Sequence, residues 1–489
     1  MNALQSTWKH LLAQIPSLQE SNAPHYRPPA GRYRPWLHVS PPAGWLNDPN
    51  GLCQINGIYH VFYQFSPFDP EGGLKFWGHC TSRDLLHWEF AGVPLLPDQP
   101  QDCHGAYSGS ALAKDGTLYL YYTGNVKKSG SHDYVHTGRE SNTMLAISRD
   151  GRQIDGKECL MTNESYPAGL TCHVRDPKVW KQDGAYYMIQ GARTLHDQGV
   201  ALLFSSPDLR NWRHVHTLQT ARPFGYMWEC PDLYELDGKT VLSISPQGVA
   251  ADGFQYQNKY QSVACFLAQD FLHASVPSKF QELDAGFDFY APQTFLAEDG
   301  RRIQIAWMGM PDETAHTNAT LADGWQHILT IPRELSVRNG VLCQNPVQEL
   351  SAWWNEKTAF ETSFCQPTEP CFELELFNEG ENVEVLFADG LLCRYQKEDG
   401  LFSLRFTDRR LGGGRTLRAR NIGHLYRIRI FIDVSSAEIF LNDGEAVFST
   451  RLYPQADTCK IQAHGQRLHG FYRFHNPERN AASQERGHQ

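Results

Sequence analysis

The segment Gly51-Leu-Cys-Gln-Ile-Asn-Gly-Ile-Tyr-His-Val-Phe-Tyr63 consists of two apolar runs joined by Asn56 and Gly57. An Asn-Gly pair between two such runs is typical of a β-hairpin with a type I′ turn, because both residues tolerate positive φ. The pattern recurs at intervals of roughly sixty residues, each time as an Asp-Gly pair followed by an apolar run. The further pairs are Asp115-Gly116, Asp183-Gly184, Asp237-Gly238 and Asp299-Gly300.

The five hairpins predict an all-β fold. No helical pattern separates them, so the strands are expected to be mostly antiparallel. Five small antiparallel sheets are typical of a five-bladed β-propeller, and a long β-sandwich is the alternative. After Leu335 the pattern changes to alternating strands with glycine-rich turns, for example at residues 372–377 and 427–432. This change predicts a C-terminal β-sandwich.

The predicted domain boundaries follow these changes of pattern. Residues 1–35 are expected to form an N-terminal amphipathic helix and a proline-rich lead-in. The propeller is expected over residues 36–340, a connecting helix over 341–358, the β-sandwich over 359–475 and a loose tail over 476–489. Within the sandwich, Asp433 and Glu438 alternate with apolar residues and are interpreted as structural.

Composition excludes several classes of function. With 489 residues, 41% of them apolar, the chain is long enough for two cores. Its formal net charge is −10 without a basic stripe, which argues against a nucleic-acid partner, and no apolar run is long enough to span a membrane. The 12 cysteines stand singly, with no Cys-x-x-Cys pair and no histidine at zinc spacing. This pattern indicates reduced thiols, a cytoplasmic location and no metal site.

A polar cluster stands seven or eight residues before each hairpin turn. The clusters are Asn47-Asp48, Ser108-Gly109-Ser110, Arg175-Asp176-Pro177, Glu229-Cys230-Pro231-Asp232 and Tyr290-Ala291-Pro292-Gln293. Equivalent positions in successive blades lie at the same end of the innermost strand, beside the central channel. We therefore expect Asp48, Asp176 and Glu229 to converge. Pro49 has no N–H for a strand interior, so the first strand is expected to begin after it.

Three acids around one channel favour glycoside hydrolysis, in which one carboxylate attacks or activates water and a protonated carboxyl donates to the leaving oxygen. Glu229 has apolar neighbours and no cation close in sequence, which favours its protonated form and suits a general acid. Asp176 follows Arg175, whose guanidinium favours the ionised form of the carboxyl and can hold its orientation. Asp176 therefore suits a fixed anion near developing positive charge. Asp48 is then the nucleophile. Alone, each acid could instead be a buried ion-pair partner, and Asp48 could cap a turn.

The motifs in combination resemble the invertase and fructan hydrolase family of glycoside hydrolases, over residues 26–474. They are Trp45-Leu-Asn-Asp-Pro-Asn-Gly51, Phe62-Tyr-Gln64, Trp77-Gly-His79, Tyr107-Ser-Gly-Ser110, Arg175-Asp-Pro177 and Glu229-Cys-Pro231. The resemblance implies a five-bladed propeller with a C-terminal β-sandwich, and hydrolysis of a β-fructofuranosyl bond with retention of configuration. It implies Asp48 as nucleophile, Glu229 as acid/base and Asp176 as transition-state stabiliser.

The same resemblance implies which residues contact the substrate. They are Asn47, Gln64, Trp77, Tyr107, Ser108 and Arg175. The expected partner is a small-molecule sugar, and no cofactor is expected.

One departure from the family pattern concerns the substrate. Many secreted relatives carry a second tryptophan in a Glu-Trp-Gly step between Gln64 and Trp77, where this chain has Glu71-Gly-Gly-Leu-Lys75. Glycines and a lysine in place of an aromatic platform fit a smaller substrate, and Lys75 could bind a phosphate as a point charge. This favours sucrose 6-phosphate over sucrose. A solvated Lys75, with Arg193 or Lys127 as the phosphate ligand, is the alternative.

Three other functions fit part of the sequence. A hydrolase of sucrose or short fructo-oligosaccharides without phosphate preference would use the same acids. Arabinan-type glycosidases also place two Asp and one Glu on a five-bladed propeller but invert configuration, and the Asn-Asp-Pro-Asn-Gly segment at 47–51 argues against them. A sugar-binding propeller without catalysis is disfavoured by the presence of all three acids.

Overall fold

The computed structural model describes residues 3–21, 31–268, 270–273, 277, 279–313, 318–368, 370–456 and 459–475. The predicted tail, 476–489, and part of the predicted lead-in, 22–30, lie outside the described residues. Five antiparallel sheets are followed by a folded C-terminal sheet with two layers. The predicted five-bladed propeller and C-terminal β-sandwich are therefore confirmed.

Blades 1 to 3 are antiparallel sheets of consecutive strands. Blade 1 contains β1 to β4 at Gly44–Ile55, Ile58–Ser66, Phe76–Ser82 and Glu89–Leu95. Blade 2 contains β5 to β8 at Ala106–Lys114, Thr117–Lys127, Arg139–Ser148 and Gly156–Met161. A 3₁₀ turn at Asn163–Ser165 leads to blade 3, with β9 to β12 at Leu170–Gln182, Ala185–Thr194, Gly199–Ser206 and Arg213–Leu218.

Blades 4 and 5 complete the ring. Blade 4 contains β13 to β16 at Met227–Leu236, Lys239–Gln247, Val263–Phe266 and Gln281–Glu282. Blade 5 starts with β17 and β18 at Tyr290–Leu296 and Arg302–Met308 and, after a 3₁₀ turn at Ala319–Asp323, continues with β20 to β22 at Ile328–Leu329, Arg333–Arg338 and Val341–Pro346. The short β19, Trp325–Gln326, pairs in parallel with β1 and so links blade 5 to blade 1.

Four of the five repeated turns have positive φ at both residues, as type I′ geometry requires. They are Asn56-Gly57, Asp115-Gly116, Asp183-Gly184 and Asp237-Gly238. The fifth turn differs, because residues 297–301 separate β17 from β18 and only Gly300 of the Asp299-Gly300 pair has positive φ. The Ala297 N–H donates to the Arg301 carbonyl across this longer loop. The expectation of the same turn at Asp299-Gly300 is wrong.

Each innermost strand carries a β-bulge at its polar cluster. In each of the five blades, two residues of the innermost strand lie opposite one residue of the second strand. These pairs of residues are 47–48, 107–108, 176–177, 230–231 and 291–292. A bulge changes the direction of its side chains, and bulges are frequent next to active sites. Because proline is tolerated at bulges, β1 continues through Pro49, and the expectation that it begins after Pro49 is wrong.

The N-terminal segment forms two helices, α1 at Ala3–Leu12 and α2 at Pro16–Ser21. The apolar spacing predicts one helix, but Pro16 has no N–H to continue α1 and instead begins α2. Trp8 packs edge-on against Phe76 at 5.4 Å between ring centroids, which places α1 against blade 1. In the described part of the chain, no helix has the length and apolar character needed to cross a bilayer.

The predicted connecting helix over 341–358 is wrong in extent. Its first residues form β22 of blade 5, and only a short 3₁₀ helix, Gln348–Trp353, follows. The apolar residues Val347, Leu350 and Trp354 that suggest a helix are all buried in the core shared with blade 1. Burial of an irregular segment thus produces the same spacing as a longer helix.

The C-terminal domain is one hydrogen-bonded sheet folded into two layers. Strands β23 to β27 are Thr358–Thr368, Cys371–Phe377, Val383–Phe387, Leu391–Gln396 and Leu401–Phe406. Strands β28 to β32 are Leu417–Asn421, Arg427–Asp433, Ser436–Leu441, Ala446–Arg451 and Cys459–Phe474, with a 3₁₀ turn at Asn442–Gly444. The first half of β32 pairs with β25 and the second half with β24. Phe402 of one layer meets Phe448 of the other at 5.1 Å between ring centroids.

A network of buried ionic groups, which we call the interface network, joins this domain to the propeller. Asp433 accepts hydrogen bonds from the backbone N–H groups of residues 36–38 and from His38 Nδ1 at 2.7 Å. Glu438 accepts from His38 Nε2 at 2.9 Å and from Arg333 Nη2 at 2.5 Å. Both acids therefore serve the structure, in agreement with the sequence interpretation.

Candidate active site

Asp48, Asp176 and Glu229 lie at the bulges of blades 1, 3 and 4, and their side chains meet in one place. The Cys230 N–H donates to Asp176 Oδ2 at 2.9 Å, and the Cys230 thiol lies 3.7 Å from Asp48 Oδ2. Arg175 completes the group, with Nη2 2.6 Å from Glu229 Oε1 and Nε 3.9 Å from Asp176 Oδ2. The structure thus brings the three predicted acids together.

Asp48 has one firmly held carboxyl oxygen and one that is nearly free. Ser108 Oγ donates to Oδ2 at 2.5 Å, and Gln64 Nε2 donates to the same oxygen at 3.3 Å. Within the described residues, Oδ1 accepts only from Asn47 Nδ2, at 3.3 Å. Burial raises the pKa of this carboxyl, and the charge of Glu229 raises it further. The hydrogen bond from Ser108 lowers the pKa but does not cancel this rise. Oδ1 is the oxygen left available to a substrate.

Asp176 is 3% exposed and has a φ of 63°, in the left-handed region that the bulge of β9 imposes and that Asp tolerates. Its N–H donates to Thr123 Oγ1 of blade 2 at 2.9 Å. Burial raises the pKa of its carboxyl, and the guanidinium of Arg175 opposes that rise. The result is a rigidly placed acid at the bottom of the site.

Glu229 is held by four hydrogen bonds. Arg175 donates to Oε1 from Nε at 3.1 Å and from Nη2 at 2.6 Å. Oε2 accepts from Gln247 Nε2 at 2.8 Å and from Tyr290 Oη at 2.6 Å. The expectation that Glu229 lies away from cations is wrong, because Arg175 forms its shorter ion pair with Glu229 and not with the adjacent Asp176. The assignment of Glu229 as the acid then depends on the family resemblance and on its place beside Asp48.

Three further residues complete the site but are absent from the candidates predicted from the sequence. Tyr290 belongs to the fifth polar cluster, so its position before the repeated turn could have identified it as a site residue. Cys230, with a φ of 44°, follows Glu229 in a recognisable motif. Gln247 has no such signal, because it reaches Glu229 only through the pairing of β13 with β14.

Four of the predicted substrate-binding residues are buried. They are Asn47, Gln64, Trp77 and Ser108. Gln64 and Ser108 act on Asp48 through their hydrogen bonds. Trp77 is 0% exposed and its Nε1 donates to the Tyr107 carbonyl at 3.0 Å, so it supports Tyr107, and its contact with substrate stays a prediction. Tyr107 and Arg175 remain partly exposed.

Lys75 lies on the side of the site nearest Asp48. Its Nζ is 5.0 Å from the centre of the Trp45 ring. Burial lowers the pKa of its amino group to about 7, and the charge of Asp48 opposes this change. The two alternative cations, Lys127 and Arg193, lie at the ends of β6 and β10 on blades 2 and 3.

A carboxylate with one available oxygen and a second carboxyl fixed near it are the pair that glycoside hydrolysis requires, and Asp176 adds a third buried acid. The fold and the site therefore define a glycoside hydrolase built on a five-bladed propeller.

Comparison with known proteins gives the particular family. Residues 38–346 match the model described as Glycosyl hydrolases family 32 N-terminal domain, and residues 396–471 match Glycosyl hydrolases family 32 C terminal. The chain belongs to glycoside hydrolase family 32, and the resemblance seen in its motifs is confirmed.

Several relatives are similar over most of their length. A sucrose-6-phosphate hydrolase of Bacillus subtilis (strain 168) is 40% identical over 448 residues, covering 88% of this chain and 91% of the relative. A raffinose invertase of Escherichia coli is 38% identical over 464 residues, covering 89% of this chain and 93% of the relative. The solved sucrose-6-phosphate hydrolase from Lactobacillus gasseri has a TM-score of 0.85 at 28% identity, covering 96% of this chain and 97% of that one. The Bombyx mori GH32 β-fructofuranosidase has a TM-score of 0.83 at 30% identity, covering 96% of this chain and 98% of that one.

Proposed function

We propose that this hydrolase cleaves the β-fructofuranosyl bond of sucrose 6-phosphate, and of sucrose, with retention of configuration. The observation that carries the proposal is the meeting of Asp48, with Oδ1 available, and Glu229, fixed by four hydrogen bonds. The similarity to sucrose-6-phosphate hydrolases over most of the chain supports the choice of substrate.

In the first step, Asp48 Oδ1 attacks the anomeric carbon of the fructosyl group. The bond from that carbon to the glycosidic oxygen breaks, and the leaving oxygen takes a proton from Glu229. Ser108 and Gln64 hold Oδ2, so that Oδ1 keeps its direction. Asp176 stabilises the positive charge that develops on the fructosyl ring. The products of this step are glucose 6-phosphate and a fructosyl ester of Asp48.

In the second step, Glu229 accepts a proton from water, and the resulting hydroxide attacks the anomeric carbon. The ester bond breaks, fructose leaves, and Asp48 returns as a carboxylate. Arg175, Gln247 and Tyr290 keep the same Glu229 carboxyl in place for both proton transfers.

The reaction needs a sugar and water as its only reactants. Lys75, Asn47 and Tyr107 are proposed to line the sugar site together with Arg175. We also infer a cytoplasmic location, which the cysteines support: all 12 lie in the described part of the chain as free thiols.

A side-by-side assay of sucrose 6-phosphate, sucrose, raffinose and a fructan tests this proposal. We expect a lower KM for sucrose 6-phosphate than for sucrose. Equal kcat/KM on both would remove the phosphate preference and leave an invertase, the second candidate, which the similarity to raffinose invertase favours. Absence of fructose release from every substrate would instead indicate a binding propeller.

A further inference from the structure

Three arginines, Arg139, Arg175 and Arg193, lie near His173 at the junction of blades 2 and 3, and we call this group the arginine rim. His173, near the start of β9, accepts a hydrogen bond at Nδ1 from Arg175 Nη1 at 2.5 Å. Burial, followed by the charges of Arg175, Arg139 and Arg193, lowers the pKa of His173 to about 2. The imidazole is therefore neutral. The Arg193 carbonyl accepts from Thr171 Oγ1 at 3.0 Å, two residues before His173. Arg139 donates to the Tyr134 carbonyl, and the next residue, Val135, accepts from the Cys172 N–H at 2.8 Å.

The arginine rim has three guanidinium groups, and two of them pair with carboxylates, Arg175 with Glu229 and Arg193 with Asp197. Arg193 stacks over the ring of Tyr226 at 4.7 Å and pairs with Asp197 at 2.7 Å, but the Asp197 side chain is 62% exposed. Arg139 donates to the Tyr134 carbonyl at 3.1 Å and to Asn125 Oδ1 at 3.2 Å. Among the described residues, Arg139 has no carboxylate partner in an ion pair.

The rim is connected to the proposed proton donor through Arg175. This guanidinium bonds Glu229 through Nη2 and His173 through Nη1, so the rim begins one side chain away from the group that protonates the leaving sugar. The leaving sugar in the proposed reaction is glucose 6-phosphate, and its phosphate must lie on the leaving-group side. Lys75 lies instead over the ring of Trp45, which is on the same strand as Asp48.

We propose that Arg139 and Arg193, the two arginines of the rim that do not bond Glu229, bind the phosphate of the leaving glucose 6-phosphate. This inference rests on the proposed function and names the subsite that would give it its substrate preference. The planar guanidinium matches two phosphate oxygens at once, and stacking on Tyr226 fixes Arg193 before the ligand arrives. The phosphate replaces the exposed Asp197 as the partner of Arg193.

The test compares the Arg139→Ala, Arg193→Ala and double variants with Lys75→Ala. Arg210→Ala is the matched control. Arg210 also lies in blade 3, but its Nε pairs with Glu158 Oε2 at a distance of 3.1 Å, and this pair is not part of the site. For each variant, kcat/KM is measured on sucrose 6-phosphate and on sucrose, together with the Ki of glucose 6-phosphate against sucrose hydrolysis. Sucrose hydrolysis also reports that the Arg139, Arg193 and Arg210 variants are folded, and the melting temperature reports it for Lys75→Ala.

We expect the double variant to lower the ratio of kcat/KM for sucrose 6-phosphate over sucrose by about ten- to hundredfold, the range for lost hydrogen bonds to a charged group. The Ki of glucose 6-phosphate should rise by a similar factor, and Arg210→Ala should change neither quantity. An unchanged ratio and Ki in the double variant would overturn the subsite, and a loss in Lys75→Ala alone would place the phosphate at Lys75.

The phosphate preference of the enzyme and the phosphate subsite at the arginine rim can be tested separately. If the wild type hydrolyses both substrates equally well, the proposed phosphate preference is wrong, and the Ki of glucose 6-phosphate relative to that of glucose still tests the rim. Tighter inhibition by glucose 6-phosphate that the double variant removes would support the subsite. Equal inhibition by the two sugars in the wild type would overturn it.

Discussion

The interface network and the site at the propeller axis both bury carboxylates, but they balance the charge differently. In the network, burial raises the pKa of Glu438, and Arg333 and His38 more than reverse that rise, so the net pKa is lowered. In the site, Asp176 and Glu229 share one arginine, Arg175, and burial leaves the pKa of Asp48 raised. An acid whose charge is matched holds domains together, whereas an acid left partly unmatched is available for chemistry.

This difference predicts that substitutions in the site reduce rate and substitutions in the network reduce stability. The largest effect is expected for Glu229→Gln. Loss of the proposed general acid should lower kcat/KM on sucrose 6-phosphate by about 10²- to 10⁴-fold, and much less on an activated β-fructofuranoside whose leaving group needs no proton. Steady-state kinetics on both substrates provide the measurement. Equal losses on both substrates would identify Glu229 as a binding residue and contradict the chemical role assigned to acids in the site.

Glu438→Gln is the corresponding change in the network. It removes the charge that faces Arg333 and His38, and breaking a buried pair of this kind costs about 3–5 kcal/mol. Urea unfolding should therefore show a lower free energy of unfolding than for Glu229→Gln, while kcat per folded molecule stays at the wild-type value. A stable but inactive Glu438→Gln variant would contradict the assignment.

His38 adds a pH dependence to the same network. Burial lowers its pKa, but hydrogen bonds and charges from Asp433 and Glu438 prevail and raise it from 6.5 to about 9. The stabilisation is then fully present below about pH 6.5 and is lost as the pH rises to about 9, with a magnitude of about 3 kcal/mol. Urea unfolding at pH 6 and pH 9.5 measures it. The His38→Gln variant should lack this loss, and an equal loss in both proteins would assign the dependence to other groups.

Ser108→Ala is expected to have the smallest effect. The variant removes the 2.5 Å hydrogen bond to Asp48 Oδ2 but leaves Gln64 as a second donor. A hydrogen bond to a charged group contributes about 1.5–3 kcal/mol, so kcat should fall by about ten- to hundredfold. The melting temperature should change little, and a large drop in melting temperature with unchanged kcat would show that Ser108 is structural.

The fold and the convergence of the acids could be predicted because they depend on repetition along the chain. A repeated turn and a polar cluster at constant phase are visible in the sequence without knowledge of any contact. The bulges that aim Asp48, Asp176 and Glu229 into the site leave no such pattern, since they appear only in the register of neighbouring strands.

The partners of the acids could not be predicted for a similar reason. Arg175 is adjacent to Asp176 in sequence but forms its closer pair with Glu229 of the next blade, because the bulge turns the two side chains apart. Trp77 lies in a family motif, yet burial places it beneath Tyr107. Sequence proximity and motif membership indicate which residues matter and leave their contacts undetermined.

The proposed bond between Asp48 and the fructosyl group can be tested most directly by trapping it. Glu229→Gln should still form the fructosyl ester from an activated β-fructofuranoside but lack the base for its hydrolysis, so the ester should accumulate. Peptide mass spectrometry after acid quenching is expected to locate the fructosyl group on the peptide that contains Asp48. A fructosyl group on Asp176, or release of an α-configured product without any modified peptide, would contradict Asp48 as the nucleophile.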